Sequence, residues 1–406
     1  MPSLIPLSDF CIRKKTSGAL LLAALILPAP GEANQPTPGL PPLARLGEVL
    51  FFDTSLSEPA GQSCATCHEP TKAFADPGAV TSKGVIPPLV GNRNTQTIMY
   101  SAYSPAFQFK IEKDEEGKEE GLYVGGQFWD GRAASLEEQA KGPFVNPLEM
   151  ANPDEATVVA KVRRAEYAPL FEDIFGKGAL DDPKLAYDRI AQALAEFQRT
   201  RAFLPFTSKF DAWRAGTAQL TEQELRGLRL FDDKDKGNCA ACHPSQPGPN
   251  GEPPLFTDFT YDNLGVPRNP DNPFVTLPAH LNPAGDSFVD LGLGAIVRKE
   301  EENGKFKVPT LRNITLTAPY MHNGYFHTLE GVVEFYNDRD VRPVCAGGKV
   351  TESQAREQGC WPAPEVSANL NRDEMGRLGL TREEIADIVV FMKTLTDGWQ
   401  PERAEL

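Results

Sequence analysis

The chain has 406 residues, with 56 acidic against 41 basic side chains and a formal charge of −15. A phosphate backbone needs a basic footprint, so this balance excludes nucleic acid as a partner and suits a basic protein surface, plain solubility being the simpler use of the charge. The length is enough for two domains of ordinary size, each with its own core.

The amino terminus reads as an export signal: Arg13, Lys14 and Lys15, an apolar run from Gly18 to Leu27, then Gly31-Glu32-Ala33 as a small-x-small cleavage site. Residues 1–33 are therefore expected to be removed, leaving a periplasmic protein that starts near Asn34. The run is short for a bilayer and no later stretch qualifies, so no membrane span is expected, with retention as an uncleaved anchor as the alternative.

Leu43, Leu46 and Leu50 stripe the first mature helix. Cys64-Ala-Thr-Cys67-His68 follows, and Cys239-Ala-Ala-Cys242-His243 repeats it in the second half. Two thiols three residues apart on a helical turn reach both vinyl groups of one haem, and the adjacent imidazole falls beneath the iron as proximal ligand. Two covalent c-type haems are expected; a zinc knuckle or a thioredoxin-like pair is the reading that the duplication and the immediate histidines disfavour. Lys110 to Glu120 is a mixed-charge, mostly acidic insert expected to be a solvated loop.

Asp182 and Pro183 open a helix that buries Ile190, Leu194 and Phe197. Thr221 and Glu224 form a capping box ahead of Leu225, Leu228 and Phe231; Thr381 and Glu384 cap a helix with Ile385, Ile388, Val389, Met392 and Leu395, expected to stop at Gly398. Gly47-Glu48-Val49-Leu50-Phe51-Phe52-Asp53 recurs as Gly227-Leu228-Arg229-Leu230-Phe231-Asp232-Asp233, each shortly before a haem motif. The fold expected is all-α: two cytochrome c-like domains, 34–204 and 205–406, each packing a first helix against a last over one covalent haem, with extensive loops. Cys345 and Cys360 sit in a Gly-rich, Pro-bounded loop and read as a disulfide in an oxidising compartment, two free thiols being the alternative.

Ligand supply limits what the irons can do. Of the five histidines, His68 and His243 are proximal ligands, which leaves His280, His322 and His327. Between His68 and Trp129 there is no other histidine and only one methionine, Met99, so the first iron is expected to be open, with the distant His280 as the alternative sixth ligand.

Several segments together carry a specific resemblance: Phe128-Trp129-Asp130-Gly131-Arg132, Glu138-Gln139-Ala140-Lys141-Gly142-Pro143, Asn146-Pro147-Leu148-Glu149-Met150, Val308-Pro309-Thr310-Leu311-Arg312-Asn313, and Thr317-Ala318-Pro319-Tyr320-Met321-His322-Asn323-Gly324. In this order, with both haem motifs, they resemble the bacterial dihaem cytochrome c peroxidase and MauG superfamily over nearly all the mature chain. The resemblance implies that Gln139 and Glu149 lie over the open face of the first haem, Gln139 orienting hydrogen peroxide and Glu149 moving its proton. It implies that Pro143 shapes that pocket and Trp129 stands between the haems as an electron relay. It also implies one calcium ion held by Asn94, Thr317 and Pro319, since hard oxygen ligands suit that ion. The alternatives are a surface glutamate and a core tryptophan.

The chain departs from the peroxidase pattern in two places. Cytochrome c peroxidases close the resting first haem with a histidine, and the stretch around Ser82-Lys83-Gly84 offers none. They ligate the second haem with a methionine fourteen residues beyond the histidine equivalent to His322, and that position here is Tyr336. A helix begun at Thr328 puts Leu329, Val332, Val333 and Tyr336 on one face, so the phenol points inward; Met321 is the competing ligand and a core tyrosine the bland alternative. Thioether favours ferrous iron, whereas phenolate favours more oxidised states. An open first haem with Tyr336 on the second resembles MauG and its MbnH-like relatives, which use peroxide to reach a high-valent state shared by both haems and oxidise tryptophan on a partner protein. The tryptophan that MauG carries two residues before its second haem motif is Gly237 here. The alternatives are a peroxidase that reduces hydrogen peroxide with electrons from a small cytochrome c or copper protein, and a non-catalytic dihaem electron carrier.

Overall fold

Pro42 opens the striped helix at its first turn, where its missing N–H costs nothing. The computed structural model describes residues 39–401 apart from 114–116 and 118, so the export signal and its cleavage site lie outside the described residues. In chain order the helices are α1 (Pro42–Phe52), α2 (Cys64–Cys67), α3 (Leu136–Val145), α4 (Glu155–Arg164), α5 (Ala168–Phe175), α6 (Pro183–Gln198), α7 (Lys209–Arg214), α8 (Glu222–Asp232), α9 (Leu293–Val297), α10 (Leu329–Asp338), α11 (Glu352–Gln358) and α12 (Arg382–Lys393).

The structure is mostly helical, but not all-α. Strands β1 (Gln108–Lys113) and β2 (Glu119–Val124) pair antiparallel, and β3 (Tyr261–Asp262) pairs with β4 (Phe306–Lys307). The insert expected to be a solvated loop is therefore a hairpin, and the reason is aromatic. Phe109 pairs with Tyr123 across the strands, their ring centroids 4.9 Å apart, and Phe107 stacks on Tyr123 at 5.5 Å.

The caps behave as the sequence implies. Asp182 accepts from the backbone N–H groups of Lys184 and Leu185 at 3.0 and 3.2 Å. Thr221 and Glu224 exchange hydrogen bonds at 2.6 and 3.2 Å, and Thr381 and Glu384 at 2.8 and 3.2 Å. The last helix ends at Lys393, before the expected stop at Gly398, because Thr394 turns its N–H back onto Met392 and Phe391.

The repeat is visible at two helix crossings. Gly47 on α1 meets α6 so closely that a Cβ would lie 1.9 Å from the Ala193 carbonyl oxygen, and Gly227 on α8 meets α12 with 2.0 Å to that of Asp387. Only glycine lets the backbones approach this far. Beside each crossing lies the same aromatic trio: Phe51 with Phe197 and Phe74 at 5.6 and 5.9 Å, and Phe231 with Phe391 and Phe256 at 5.2 and 6.0 Å. Two hydrophobic clusters result, one within residues 46–203 and one within 210–395. Fully burying an aromatic of this size contributes about 1.5–3 kcal/mol, so each trio is a major part of its core.

Arg312 ties the halves together. Fully buried, it donates to both oxygens of Asp211 at 2.9 and 2.8 Å, while its guanidinium lies 5.0 Å from the ring of Tyr100.

Candidate functional site

Each haem motif is presented on one helical turn. Ser63 starts α2 with its N–H donating to Thr66 Oγ1 at 2.9 Å, and Asn238, in the left-handed region at φ 49°, starts a 3-10 turn over Cys239–Ala241. His68 and His243 close these turns, their N–H groups donating to the carbonyls of Cys64 and Cys239, both at 2.9 Å. The rings are held by a repeated bond: Nδ1 of His68 to the Phe74 carbonyl at 2.9 Å, and Nδ1 of His243 to the Phe256 carbonyl at 2.7 Å. An imidazole whose Nδ1–H is fixed by a carbonyl offers Nε2 as a bare acceptor, the tautomer an iron ligand needs. Burial lowers both rings' affinity for protons, taking His243 to about 4, so both are neutral.

The thiols argue against the other readings of Cys-x-x-Cys. Burial pushes Cys64 up to about 12 and Cys67 to about 11, the reverse of the depressed thiol in a redox-active pair. Among the described residues the one cluster of metal-type ligands is Cys242 with Asp262 and Glu374, within 4.8 Å of one another, which lacks the sulfur and nitrogen set of a zinc knuckle.

Both motifs open into one cavity walled by both halves of the chain, lined by Glu149, Gln139, Pro143, Trp129 and Tyr336 together with Asn94, Thr317 and Pro319. Gln139 and Pro143 lie one turn apart on α3 and share a face. Beyond Pro143 the chain doubles back, Met150 N–H donating to the Pro143 carbonyl at 3.2 Å and Glu149 N–H to that of Asn146 at 3.0 Å. This return brings Glu149 beside Cys64 and Cys67, whose thiols feel its charge. Burial raises the Glu149 carboxyl above the usual range, and Arg132 and Asn146 only partly oppose it.

Trp129 donates its indole N–H to the Asn94 carbonyl at 2.9 Å. Asn94 Nδ2 in turn donates to the carbonyls of Ala79 and Val80 at 3.2 and 3.3 Å, which turns Oδ1 the other way. Thr317 and Pro319 line the same cavity.

Tyr336 projects from α10 into the cavity beside the second motif. Burial first, then the neighbouring Cys242 and Cys239, hold its phenol well above the ordinary value. Met321 lines the cavity too. Met99 is committed elsewhere, its sulfur accepting from Asn313 Nδ2 at 3.3 Å, and His280 is exposed and away from the cavity.

Sequence reasoning missed a set of buried polar groups at the cavity. Arg93 donates to Asp130 at 2.7 Å and to both oxygens of Asp290 at 2.6 and 2.7 Å. Lys307 is buried, its ammonium donating to the Gly126 carbonyl at 2.6 Å, and burial lowers it to about 8. His322 stacks flat on Phe306 with ring centroids 3.6 Å apart, its Nε2 3.9 Å from Glu365. Asp130 and His322 lay inside quoted motifs, but nothing local marks Arg93 as a partner of a residue 197 positions away.

Comparisons with known proteins show what the chain as a whole is similar to. A family model described as di-haem cytochrome c peroxidase matches residues 41–219. The methylamine utilization protein MauG of Paracoccus denitrificans is 41% identical, covering 92% of this chain and 93% of that protein. The cytochrome c551 peroxidase of Nitrosomonas europaea is 32% identical over 95% of this chain and 90% of its own. The crystal structure of the diheme peroxidase BthA from Burkholderia thailandensis E264 superposes with a TM-score of 0.70 at 33% identity, covering 90% of this chain and 87% of that one.

Proposed function

The chain belongs to the di-haem cytochrome c peroxidase family and is a haem oxidoreductase, and on that premise we propose that it uses hydrogen peroxide to oxidise a partner protein at tryptophan, as the resemblance to MauG implies. Two haems are implied by the family; in this reading they are attached through Cys64, Cys67, Cys239 and Cys242, with His68 and His243 beneath the irons. The fit is supported by the two anchored imidazoles, four cysteines outside any disulfide and one shared cavity. Haem bound there supplies the iron that accepts the two oxidising equivalents of peroxide.

The chain's own groups do the rest. Gln139 orients the peroxide, and Pro143 limits the space around it. Glu149 takes the proton from the inner oxygen and returns it to the outer one as the O–O bond breaks. Two electrons drawn from the partner and two protons complete the conversion of peroxide to water. Trp129 relays electrons between the motifs, and Tyr336 would offer the second haem an anionic ligand, a donor that favours oxidised iron. Asn94, with the carbonyls of Thr317 and Pro319, would hold one calcium ion, an ion that hard oxygen ligands suit, and the two domains divide near residue 204. Export to the periplasm is supported by the Cys345–Cys360 disulfide, a bond that persists in oxidising compartments. Among the described residues no helix is long and apolar enough to cross a membrane.

The observation that carries this reading is Tyr336 in the cavity beside the second motif. The test is rapid mixing of the fully oxidised holoprotein with peroxide. An immediate spectral change at both haems is expected; a protein that ignores peroxide until one electron is added is an ordinary peroxidase. One observation favours that second reading, with a small cytochrome c or copper protein as electron donor. At Gly237, where MauG carries its tryptophan, a Cβ would lie 2.2 Å from the Leu230 carbonyl oxygen, so this backbone admits no side chain.

A further inference from the structure

The helix that carries Tyr336 is gripped at both ends by one segment of the chain. Glu352, at the start of α11, is 4% exposed. Its Oε2 accepts from the His327 backbone N–H at 2.5 Å and its Oε1 from the Thr328 hydroxyl at 2.8 Å. Thr328 is the N-cap of α10, its Oγ1 accepting from the Gly331 N–H at 3.0 Å. Gly331 leaves the space for this carboxylate, since a Cβ there would lie 1.7 Å from Glu352 Oε1.

The grip continues along the helix. Arg356, one turn beyond Glu352, donates through Nε and Nη2 to the two oxygens of Glu334, each at 3.0 Å. Trp361 donates its indole N–H to Asp338 at 2.8 Å. The Cys345–Cys360 disulfide closes the segment, and the Cys345 N–H donates to the Trp361 carbonyl at 2.9 Å.

Thr328, Glu334 and Asp338 are thus fixed to the same closed segment, and Tyr336 lies between the last two. Three contacts spread along a helix set both its axis and its rotation, and hence where the Tyr336 oxygen stands. A buried carboxylate is costly without partners, and this one is matched by N–H and O–H donors at the positive end of α10. Removing it frees the helix start, and a ligand loosened by about 1 Å no longer holds its geometry.

We propose that the disulfide-closed segment is a brace for α10 and that Glu352 is a positioning residue for Tyr336. This rests on Tyr336 being the second haem's ligand, as proposed above. In the oxidised holoprotein, Glu352→Ala should cost the second haem its six-coordinate low-spin electron paramagnetic resonance signal and produce a high-spin one. The first haem's signal and the haem content should stay at wild-type values. Glu352→Gln keeps the bond from the His327 N–H at its amide oxygen and can meet Thr328 Oγ1 by donating to it, so it should restore the signal at least in part. Amide hydrogen exchange across α10 should be faster in the Ala variant than in the Gln variant. If Glu352→Ala does not load haem, Glu352→Asp, one methylene shorter, should show the same shift in milder form. A spectrum changed by Tyr336→Phe but by neither the Ala nor the Asp variant overturns the brace alone. A spectrum that Tyr336→Phe leaves unchanged overturns the ligand assignment, and the brace with it.

Discussion

The indole N–H of Trp129 donates to the backbone carbonyl of Asn94 at 2.9 Å, so the aromatic assigned to electron relay and the residue assigned to calcium are one hydrogen-bonded unit. Trp129→Phe leaves that carbonyl without its donor, at about 1 kcal/mol. Calorimetric titration with calcium should show weaker binding in the variant, although Trp129 is no ligand. Equal affinities would separate the indole from the ion site.

Glu149→Gln keeps the side chain's shape and removes the proton it moves. O–O cleavage should slow by about two to four powers of ten while both haems stay attached. Single-turnover rates equal to the wild type would take Glu149 out of the reaction.

Tyr336→His should still give the second haem a sixth ligand, because imidazole also binds ferric iron, but it removes the anionic donor. Peroxide consumption should survive and partner oxidation should be lost, measured side by side on one preparation. Retained partner oxidation would make Tyr336 a packing residue and favour the peroxidase reading.

Burial raises the Asp290 carboxyl, but Arg93 more than offsets this and leaves it at about 2, below the ordinary 3.8. A depressed carboxylate contributes stability that is present above its unfolded pKa and lost as pH falls through the folded one, so the window runs from about 4 down to about 2. Asp290→Asn leaves Arg93 with Asp130 as its remaining partner and should destabilise by about 2 kcal/mol at neutral pH, the size of the downward shift. Urea unfolding should show the gap between variant and wild type closing across that window. A gap that does not change with pH would mean the pair contributes through packing alone.

Gly227→Ala should drive α8 from α12, because the new methyl would meet the Asp387 carbonyl oxygen at 2.0 Å. Overpacking of this kind costs about 1–3 kcal/mol, and Gly47→Ala should match it at the α1–α6 crossing. Thermal melts of the two variants should fall together, and a neutral result at either site would break the equivalence of the halves.

What the sequence determined by itself is what lies within one or two turns of chain. The Cys-x-x-Cys-His turns, the capping boxes at Thr221 and Thr381, the Asp182 cap and the Gly47/Gly227 repeat were all legible, because each depends on neighbours a few residues apart. The helix begun at Thr328 that carries Tyr336 was legible for the same reason, whereas the choice of Tyr336, fourteen residues beyond His322, came from the family resemblance. Tertiary structure alone decided that both motifs share one cavity, that Arg93 reaches Asp290, and that Glu352 holds the N-cap of the helix bearing Tyr336. It also decided that the charged insert at 110–120 pairs as a hairpin, since Phe107 and Phe109 needed Tyr123 opposite them. These contacts join residues whose partner is chosen by the path of the chain. A buried charge or ring must find whatever complement the fold brings to it, and no local spacing records which one that is.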